Sequence, residues 1–262
     1  MIVIKYGGHV QGDEGSSAAT IAAIAEFHLS GGKVVLVHGG GPAIEEELKV
    51  HQIQSTFTGG YRVTTPEVMK VVQRTLSGEV LRELTDKFIG LGVNAVGISA
   101  GDGRTVRAKP FRPLVDGRAV EVGLVGEAES VDPTFLNLLL NNGYLPIVSP
   151  VSVASDGQAL NINGDIVAGS IAGALRATEV LFITDVAGIY RNWPDPSTFI
   201  TEISLAELKE IAPTFADGMA PKSKAVITAL SSGASQARII DGRDSANLQA
   251  AFTGTGGTVI TS

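Results

Sequence analysis

The stretch Lys33-Val-Val-Leu-Val-His38, followed at once by Gly39-Gly-Gly-Pro42, decides the fold class of this chain. A short run of branched apolar residues predicts a buried strand, and the glycines and proline after it predict a turn. Ala43 to Val50 then has the pattern of a helix. The same order opens the chain, where Ile2 to Tyr6 precede Gly7-Gly8. Apolar strands that alternate with helices predict a parallel sheet covered on both faces.

This alternation continues along the chain. The predicted helices are Ser16 to Leu29, Pro66 to about Leu76, a further helix to about Gly90, Pro133 to Asn141, Asp165 to Leu175, Ser204 to Ile211 and Lys222 to Ser232. Thr65 is the predicted N-cap of the helix that starts at Pro66. The predicted later strands are Ala95 to Ser99, Leu145 to Pro150, Val180 to Thr184 and Ala237 to Ile240. Thr105 to Gly126 differs, because Asp116-Gly117 between β-like segments predicts an antiparallel hairpin. The predicted fold is α/β: a three-layer αβα sandwich with a mainly parallel central sheet and a β-hairpin flap.

Composition excludes several classes of function. The chain has 262 residues, a formal net charge of -7 and no cysteine, so disulfides, thiolate metal sites and a cysteine nucleophile are excluded. The acidic balance argues against nucleic-acid binding. No apolar run reaches the roughly 18 residues of a membrane span, and the N-terminus lacks a signal-peptide pattern. We therefore expect a cytoplasmic protein without a membrane partner. The histidines lack metal-ligand spacing and no G-x-S-x-G motif occurs, which makes a metalloenzyme or hydrolase a weak interpretation.

The two glycine turns follow consecutive strands, at Gly7-Gly8 and Gly39-Gly40-Gly41. Open parallel sheets bind ligands at the carboxyl ends of their strands, and glycine lets backbone N–H groups approach ligand oxygens. Lys5 directly precedes the first turn, and a lysine in an apolar strand is costly unless it is paired or used. Neither turn is a Walker A loop or a dinucleotide fingerprint. The alternatives are glycines that only turn the chain and a lysine that faces solvent, but the combination favours a phosphate cradle.

Other polar residues stand out by their position. In Asn161-Ile-Asn163-Gly-Asp165, alternate side chains of an extended segment would point to one side, although Asp165 could simply cap the helix that follows. Lys222 lies at a predicted helix start, where a cation opposes the dipole unless an anion binds there. Arg62 precedes a helix and suits a bidentate carboxylate contact. Both could instead be surface residues. His38 is interpreted as a structural histidine bonded to backbone, not as a general base.

In chain order, six stretches resemble the amino acid kinase family, and most closely its acetylglutamate kinases. They are Lys5-Tyr-Gly-Gly8, Val37-His-Gly-Gly-Gly-Pro42, Gly60-Tyr-Arg-Val-Thr64, Asn161-Ile-Asn-Gly-Asp165, Thr184-Asp-Val-Ala-Gly188 and Gly218-Met-Ala-Pro-Lys222. The resemblance implies a transfer of the ATP γ-phosphoryl group to the side-chain carboxylate of N-acetyl-L-glutamate, in arginine biosynthesis. It further implies an acyl amino acid lobe at 1–168 and an ATP lobe at 169–262 within one continuous fold. ATP, Mg²⁺ held mainly by the nucleotide, and a homodimer are the implied cofactors and assembly.

The same resemblance implies a role for each matched residue. Lys5 and Lys222 would neutralise the transferring phosphoryl group, and Asp165 would hold both lysines, which makes these three the catalytic set. The other implied contacts are Gly7 and Gly8 with phosphate, Gly40, Gly41, Arg62 and Asn161 with the substrate, and Thr184, Asp185, Gly188, Tyr190, Gly218 and Met219 with the nucleotide. No protein residue is implied as a metal ligand.

The chain departs from the family pattern at three points. Members often carry alanine where Gly164 stands, and an Asn-Lys pair where this chain has Ser77-Gly-Glu-Val-Leu81. Arginine-inhibited members have a helix before the first strand, whereas here the first predicted strand begins at Ile2. We therefore expect neither a hexamer nor arginine feedback through such a helix.

Two other functions compete with this interpretation. The nearer is a kinase for a carrier-protein-linked aminoadipate or glutamate, which would receive its acidic carrier on basic flap residues, namely Arg104, Arg107, Lys109, Arg112 and Arg118. The other is a nucleotide-binding regulatory module without turnover. Retention of Lys5, Lys222 and Asp165 argues against a module of that kind, because a sensor has no need of groups that stabilise a transferring charge.

Overall fold

A computed structural model of the protein describes residues 1–7, 14–115, 117–215 and 219–262. The strands of the described residues are β1 Ile2–Tyr6, β2 Val34–His38, β3 Phe57–Thr58, β4 Tyr61–Arg62, β5 Ala95–Ser99, β6 Val106–Pro110, β7 Leu114–Val115, β8 Arg118–Ala119, β9 Val125–Val131, β10 Leu145–Ser149, β11 Val151–Val153, β12 Ala159–Ile162, β13 Glu179–Thr184, β14 Ile189–Tyr190, β15 Phe199–Ile200, β16 Glu202–Ser204, β17 Gln236–Asp241 and β18 Thr258–Thr261. The α-helices are α1 Glu14–Leu29, α2 Gly41–Val50, α3 Pro66–Arg74, α4 Leu81–Gly90, α5 Thr134–Asn141, α6 Gly164–Ala174, α7 Leu205–Ile211, α8 Met219–Ser231 and α9 Ser245–Phe252.

Within the described ranges, eight strands form the central sheet in the order β16-β18-β17-β13-β1-β2-β10-β5. The six strands from β17 to β5 run parallel, and β18 pairs antiparallel with β17. Strand β16 is parallel to β18, so β18 and the edge strand β16 run opposite to the other six. The predicted mainly parallel sheet is therefore confirmed. Strands β1 and β2, whose ends carry the glycine turns, are neighbours, with Tyr6 beside His38.

Side chains of alternate residues in the central strands enter two separate cores. Ile4, Leu36 and Leu181 pack with helices α1, α4 and α9 on one face, whereas Val3 and Phe182 pack with α5, α6 and α8 on the other. Successive residues of a strand point to opposite faces, so each strand is apolar throughout only because both faces are covered. The predicted three-layer αβα sandwich is confirmed.

The helices predicted over Pro66 to Leu76 and on to Gly90 form one continuous helical rod. Helix α3 passes into a π-helical segment, Thr75–Val80, and then into α4. Thr65 caps its start as predicted, because its hydroxyl oxygen accepts the Val68 N–H at 3.2 Å, and Pro66 follows at the first position. Two α-helices are present as predicted, but the boundary between them is not a break, because the backbone keeps right-handed helical dihedral angles at both ends of the π-helical segment.

The flap is larger than the predicted segment Thr105 to Gly126. Strands β6 and β9 pair antiparallel and close with β11 and β12 into a small four-stranded barrel. Strands β7 and β8 form the hairpin tip, where Gly117 has a φ of +74° and Asp116 lies outside the described residues. The strands β11 and β12 were not predicted, although they pair with each other as an antiparallel hairpin; their further pairings with β6 and β9, which close the barrel, join residues far apart in the sequence.

Two predicted helix starts also change. Helix α6 begins at Gly164 with Asn163 as its N-cap, so Asp165 lies in the first turn and keeps its carboxylate for other contacts. The described part of α8 begins at Met219, and Lys222 is its fourth residue. In the ranges that the structure describes, no helix is both long and apolar enough to cross a bilayer.

A buried ion pair in the sheet gives a test of the fold. The Arg238 guanidinium donates to Glu179 Oε1 and to the Gly256 carbonyl oxygen, both at 2.7 Å, and its side chain is 2 % exposed. We predict that Glu179→Ala lowers the free energy of unfolding by ~3–5 kcal/mol, because it leaves a buried cation without its counterion. Urea unfolding measures this loss.

The matched control is the exposed pair Arg82–Asp86 at 2.9 Å, whose side chains are 58 % and 63 % exposed. Asp86→Ala should cost at most about 0.5 kcal/mol, because water screens a pair of this kind. Equal losses from the two variants would contradict the argument.

Candidate active site

Three charged side chains from distant parts of the chain meet at one point. Lys5 Nζ lies 3.1 Å from Asp165 Oδ1, and Lys222 Nζ donates to Asp165 Oδ2 at 3.0 Å. The three side chains are only 8–12 % exposed. The two lysines predicted to share a phosphoryl group therefore lie together and share one carboxylate.

The elements that carry these residues explain why they meet. Lys5 lies near the carboxyl end of β1, and α6 packs across β1 with Asp165 in its first turn. Helix α8 approaches α6 closely because Gly169 has no side chain: a Cβ there would lie 2.4 Å from the Ala225 carbonyl oxygen. Gly169 follows Asp165 by about one helical turn, and Ala225 follows Lys222 by a similar distance. This glycine contact brings the two charged residues within reach of each other.

The electrostatics of the cluster leave it short of negative charge. Burial by itself would raise the pKa of Asp165, but the charges of Lys5 and Lys222 outweigh it and hold that pKa below its ordinary value. Burial lowers the pKa of Lys222, and the attraction of Asp165 opposes this shift. The two ammonium groups and the one carboxylate that they contact carry one net positive charge in a poorly solvated site, and the more distant Asp185 charge also acts on Lys222. A bound anion would complete the neutralisation.

A cavity of about 510 Å³ lies beside this cluster. Residues from the β2–α2 turn, β4, β12 and the start of α6 line it, among them Gly40, Gly41, Arg62, Asn161 and Gly164. The four residues predicted to contact a substrate are therefore brought together.

Glycine leaves room for a neighbouring side chain at two positions in this site. A Cβ at Gly7 would lie 2.5 Å from Lys5 Nζ, so the backbone passes directly beside the amine. Gly40 has a φ of +153°, and a Cβ there would lie 2.4 Å from Leu76 Cδ2. Leu76 belongs to the π-helical segment, which therefore packs directly against the glycine turn. At Gly164 a Cβ would lie 3.1 Å from the His38 carbonyl oxygen, so alanine would need only a small shift there.

Arg62 is a buried arginine of the cavity wall and not a rim residue. It donates to Glu45 Oε2 at 2.6 Å, to the Ser55 hydroxyl and to the Gly41 carbonyl oxygen at 3.3 Å. Its guanidinium also lies 4.7 Å from the centre of the Phe57 ring. The hydrogen bond from Arg62 holds the pKa of Glu45 below its ordinary value. These contacts fix the arginine and leave other guanidinium N–H groups for a ligand, because arginine has five donors.

Asn161 lies on β12 in the extended conformation that the sequence predicted. Leu160 and Ile162 are buried while Asn161 is partly exposed to the cavity, so alternate side chains do point to opposite sides. Its amide donates to the Thr64 hydroxyl at 3.4 Å.

The residues predicted to border a nucleotide fall into two groups. Thr184 ends β13, donates to Asp185 at 3.2 Å, and the Asp185 charge acts on Lys222. Gly188 and Tyr190 belong instead to the hairpin of β14 and β15. A Cβ at Gly188 would lie 2.3 Å from Thr258 Oγ1, and the Tyr190 ring contacts Trp193 and Phe199. Packing against β18 and against Phe199 of the hairpin is thus sufficient reason for this glycine.

Met219 begins the described part of α8 and packs against the core. Gly8 and Gly218, predicted to contact phosphate and nucleotide, lie outside the described residues, as does Asp217.

Two residues of the site were missed from the sequence, namely Glu45 and Thr64. Gly41, Glu45 and Leu48 recur at helical spacing, so the helix could have placed Glu45 on the face of the glycine turn. Nothing in the sequence indicated Thr64 as the partner of Asn161. The predicted backbone contact of His38 is present: the side chain is fully buried, and Nδ1 lies 2.6 Å from the Gly39 carbonyl oxygen.

Comparisons with known proteins identify the family of this chain. The model of the amino acid kinase family matches residues 1–241. The acetylglutamate kinase of Paenarthrobacter aurescens is 41% identical over 252 residues, covering 92% of this chain and 80% of that protein. The acetylglutamate kinase of Frankia alni is 42% identical over 262 residues, covering 99% and 76%.

A solved structure supports the fold. Carbamate kinase from Giardia lamblia bound to AMP-PNP superimposes with a TM-score of 0.74 over 99% of this chain and 97% of that one, at 20% identity. Since the family model covers most of the chain and the curated relatives exceed 40% identity over nearly all of it, this protein belongs to the amino acid kinase family.

Proposed function

We propose that this protein transfers the γ-phosphoryl group of ATP to the side-chain carboxylate of N-acetyl-L-glutamate, as an acetylglutamate kinase of arginine biosynthesis. The observation that carries the proposal is the pair of ammonium groups, Lys5 and Lys222, on the single carboxylate of Asp165 beside the glycine-lined cavity. The acetylglutamate kinases among the relatives support the choice of substrate.

The reaction suits a site without a general base. A carboxylate oxygen of the substrate forms a bond to the γ-phosphorus while the bond to the bridging oxygen of ADP breaks, and its electron pair leaves with ADP. No proton moves, because the acceptor is already ionised at neutral pH. The barrier lies in bringing two anions together and in stabilising charge on the phosphoryl oxygens. One net positive charge, poorly solvated, meets that requirement.

The roles of the individual residues follow from their places. Lys5 and Lys222 contact the phosphoryl oxygens from two sides, and Asp165 is a positioning residue that holds both amines. The N–H groups of Gly7, Gly40 and Gly41 cradle the phosphoryl group and the reacting carboxylate. Glycine permits this approach because no side chain intervenes.

Arg62 and Asn161 hold the other end of the acyl amino acid. Arg62 is already bonded to Glu45, so it presents its remaining N–H groups to the α-carboxylate in a fixed orientation. Asn161 is steadied by Thr64 and offers its amide to the acetamido group.

The nucleotide lies towards the C-terminal part of the chain in this proposal, with residues 1–168 as the acyl amino acid lobe and 169–262 as the ATP lobe. Thr184, Asp185 and Met219 border it, and Gly188 and Tyr190 shape the adjoining hairpin. Mg²⁺ would be held mainly by the nucleotide phosphates and would supply neutralisation of their charge. Among the described residues no group of three or more histidine, aspartate or glutamate side chains could enclose a metal ion.

A carrier-protein-linked substrate is not favoured. The flap residues that would receive an acidic carrier are partly neutralised, because Lys109 lies 3.5 Å from Glu127 and Arg112 lies 2.6 Å from Glu121. The relatives reported above are acetylglutamate kinases.

We also propose a cytoplasmic homodimer. Strand β5 forms one edge of the central sheet, and an open parallel edge is a natural surface for a second copy. Ile89 and Leu91, at the end of the neighbouring helix α4, are 50 % and 45 % exposed. Light scattering coupled to gel filtration measures the assembly.

The proposed function is tested by an ADP-release assay. N-acetyl-L-glutamate should give a far higher kcat/KM than glutamate, aspartate or aminoadipate, because Arg62 and Asn161 together read the α-carboxylate and the acetamido group. Hydroxylamine should trap an acyl phosphate product. A preference for free aminoadipate or glutamate, or an absence of hydroxamate, would overturn the proposal.

Loss of either lysine should damage catalysis more than folding. We predict that Lys5→Ala and Lys222→Ala each lower kcat by ~10²–10³, because each removes a donor to the transferring group. The thermal midpoint should change little, because Asp165 keeps the other lysine as its partner. The control Lys33→Ala removes an exposed lysine that donates to Asn141 at 2.8 Å. Normal turnover in either active-site variant would contradict the assignment.

Loss of the shared Asp165 carboxylate should damage both catalysis and folding. In Asp165→Asn two buried ammonium groups face each other without a counterion, so we predict ~3–5 kcal/mol of lost stability. The folded-state pKa of Asp165 lies below its ordinary value of 3.8. The stabilisation is therefore fully present above pH 3.8 and is lost as the pH falls through the folded pKa.

Urea unfolding of wild type and Asp165→Asn over a pH series measures this. The difference in free energy between the two should be constant near neutrality and shrink below pH 3.8. A difference that grows as the pH falls would show that Asp165 does not serve as the counterion.

A further inference from the structure

We infer that His38 is a positioning residue for the reaction, which directs the Gly40 N–H group towards the transferring phosphoryl group through its hydrogen bond to the Gly39 carbonyl. The inference rests on the proposed function. It concerns a residue that contacts neither lysine nor, in the roles proposed above, the substrate.

The hydrogen bond determines the state of the ring. His38 Nδ1 lies 2.6 Å from the Gly39 carbonyl oxygen, and a carbonyl oxygen can only accept. Nδ1 therefore carries the hydrogen. Burial lowers the pKa of His38 to about 4. The bond to the Gly39 carbonyl oxygen raises this pKa, and the nearby charge of Lys5 lowers it further. The ring is neutral at physiological pH, and Nε2 is a bare nitrogen without a hydrogen-bond partner in the described part of the chain.

The geometry of the peptide group carries the effect into the site. The Gly39 carbonyl and the Gly40 N–H belong to one planar trans peptide, so they point in opposite directions. A donor that holds the carbonyl on one side therefore aims the N–H to the other. Glycine has no Cβ to restrict its dihedral angles, so this plane could otherwise rotate.

Other contacts hold the rest of the glycine turn, so the bond from His38 decides the orientation of the peptide between Gly39 and Gly40. The Gly39 N–H donates to the Tyr6 carbonyl oxygen at 2.8 Å, and the Gly40 carbonyl accepts the Ile44 N–H at 3.0 Å. Leu76 packs against Gly40 from the π-helical segment. The peptide between Gly39 and Gly40 is the remaining plane, and His38 is the group that bonds it.

Substitution of His38 by asparagine or by glutamine distinguishes this positioning role from other roles of the ring. Asparagine places its N–H donor close to the position of Nδ1, whereas glutamine places it closer to Nε2. We expect His38→Gln and His38→Leu to lower kcat by ~10²-fold, as for removal of one donor to a developing charge. We expect His38→Asn to restore kcat to within about tenfold of wild type, because it can keep the bond to Gly39.

The experiment measures kcat, both KM values and AMP-PNP affinity for the three variants, with thermal midpoints to exclude unfolding. The effect should fall on kcat, with AMP-PNP affinity retained, because the nucleotide has its own contacts. A matched control is His28→Leu, which removes a similar bond from His28 Nδ1 to the Gly32 carbonyl at 3.1 Å, distant from the glycine turn. That variant should keep the wild-type kcat.

Several outcomes would overturn the inference. One is full turnover in a folded His38→Leu variant. Another is an equal loss of kcat in His38→Asn and His38→Leu, because the imidazole ring itself would then be needed. A wild-type kcat that falls with a pKa near 6.5, and loses this limb in His38→Asn, would instead make His38 a proton-transfer group. Failure of the wild-type enzyme to phosphorylate N-acetyl-L-glutamate would refute the proposed function and is distinct from each of these results.

Discussion

The carboxylate of Asp165 serves as counterion to two ammonium groups in a site where little water reaches any of the three. Each contact alone would be a buried ion pair, for which desolvation roughly offsets attraction. Shared between two lysines, the carboxylate lets both remain charged but satisfies neither completely. Strand β1 and helices α6 and α8 are held in their relative positions around this contact. The arrangement is stable enough to persist and remains short of one negative charge, which is the condition that favours an incoming anion.

Small residues make this arrangement possible. The close contact of Gly169 with Ala225 lets α8 approach α6, and Gly7 lets the backbone pass beside the Lys5 amine. Gly40 lets Leu76 of the π-helical segment close over the turn. In each case a methyl group would occupy the space that another group needs. The abundance of glycine in this chain thus has a physical reason at the site, where backbone and charge must come close together.

The cavity beyond the cluster is arranged differently. Arg62 is held by Glu45, Ser55 and the Gly41 carbonyl oxygen before any ligand arrives, so its position costs little side-chain entropy on binding. The same contacts link the arginine to the glycine turn through Gly41. The end of the cavity that would grip a substrate and the end that would receive a phosphoryl group therefore share one rigid segment.

Much of this protein follows from its sequence alone. Ile2 to Tyr6 and Ala95 to Ser99 were predicted as strands with their observed bounds, and Thr65 was predicted as a helix cap, because these features depend on neighbouring residues. The order of the six family stretches likewise indicated the family. The sequence did not predict that Glu45 pairs with Arg62 or that α3 continues into α4. Both features depend on contacts outside each segment. The sequence showed that Lys5, Asp165 and Lys222 were unusual, but only the tertiary structure brought both lysine amines within 3.1 Å of the Asp165 carboxylate, because attraction between charges depends on distance in space and not on separation along the chain.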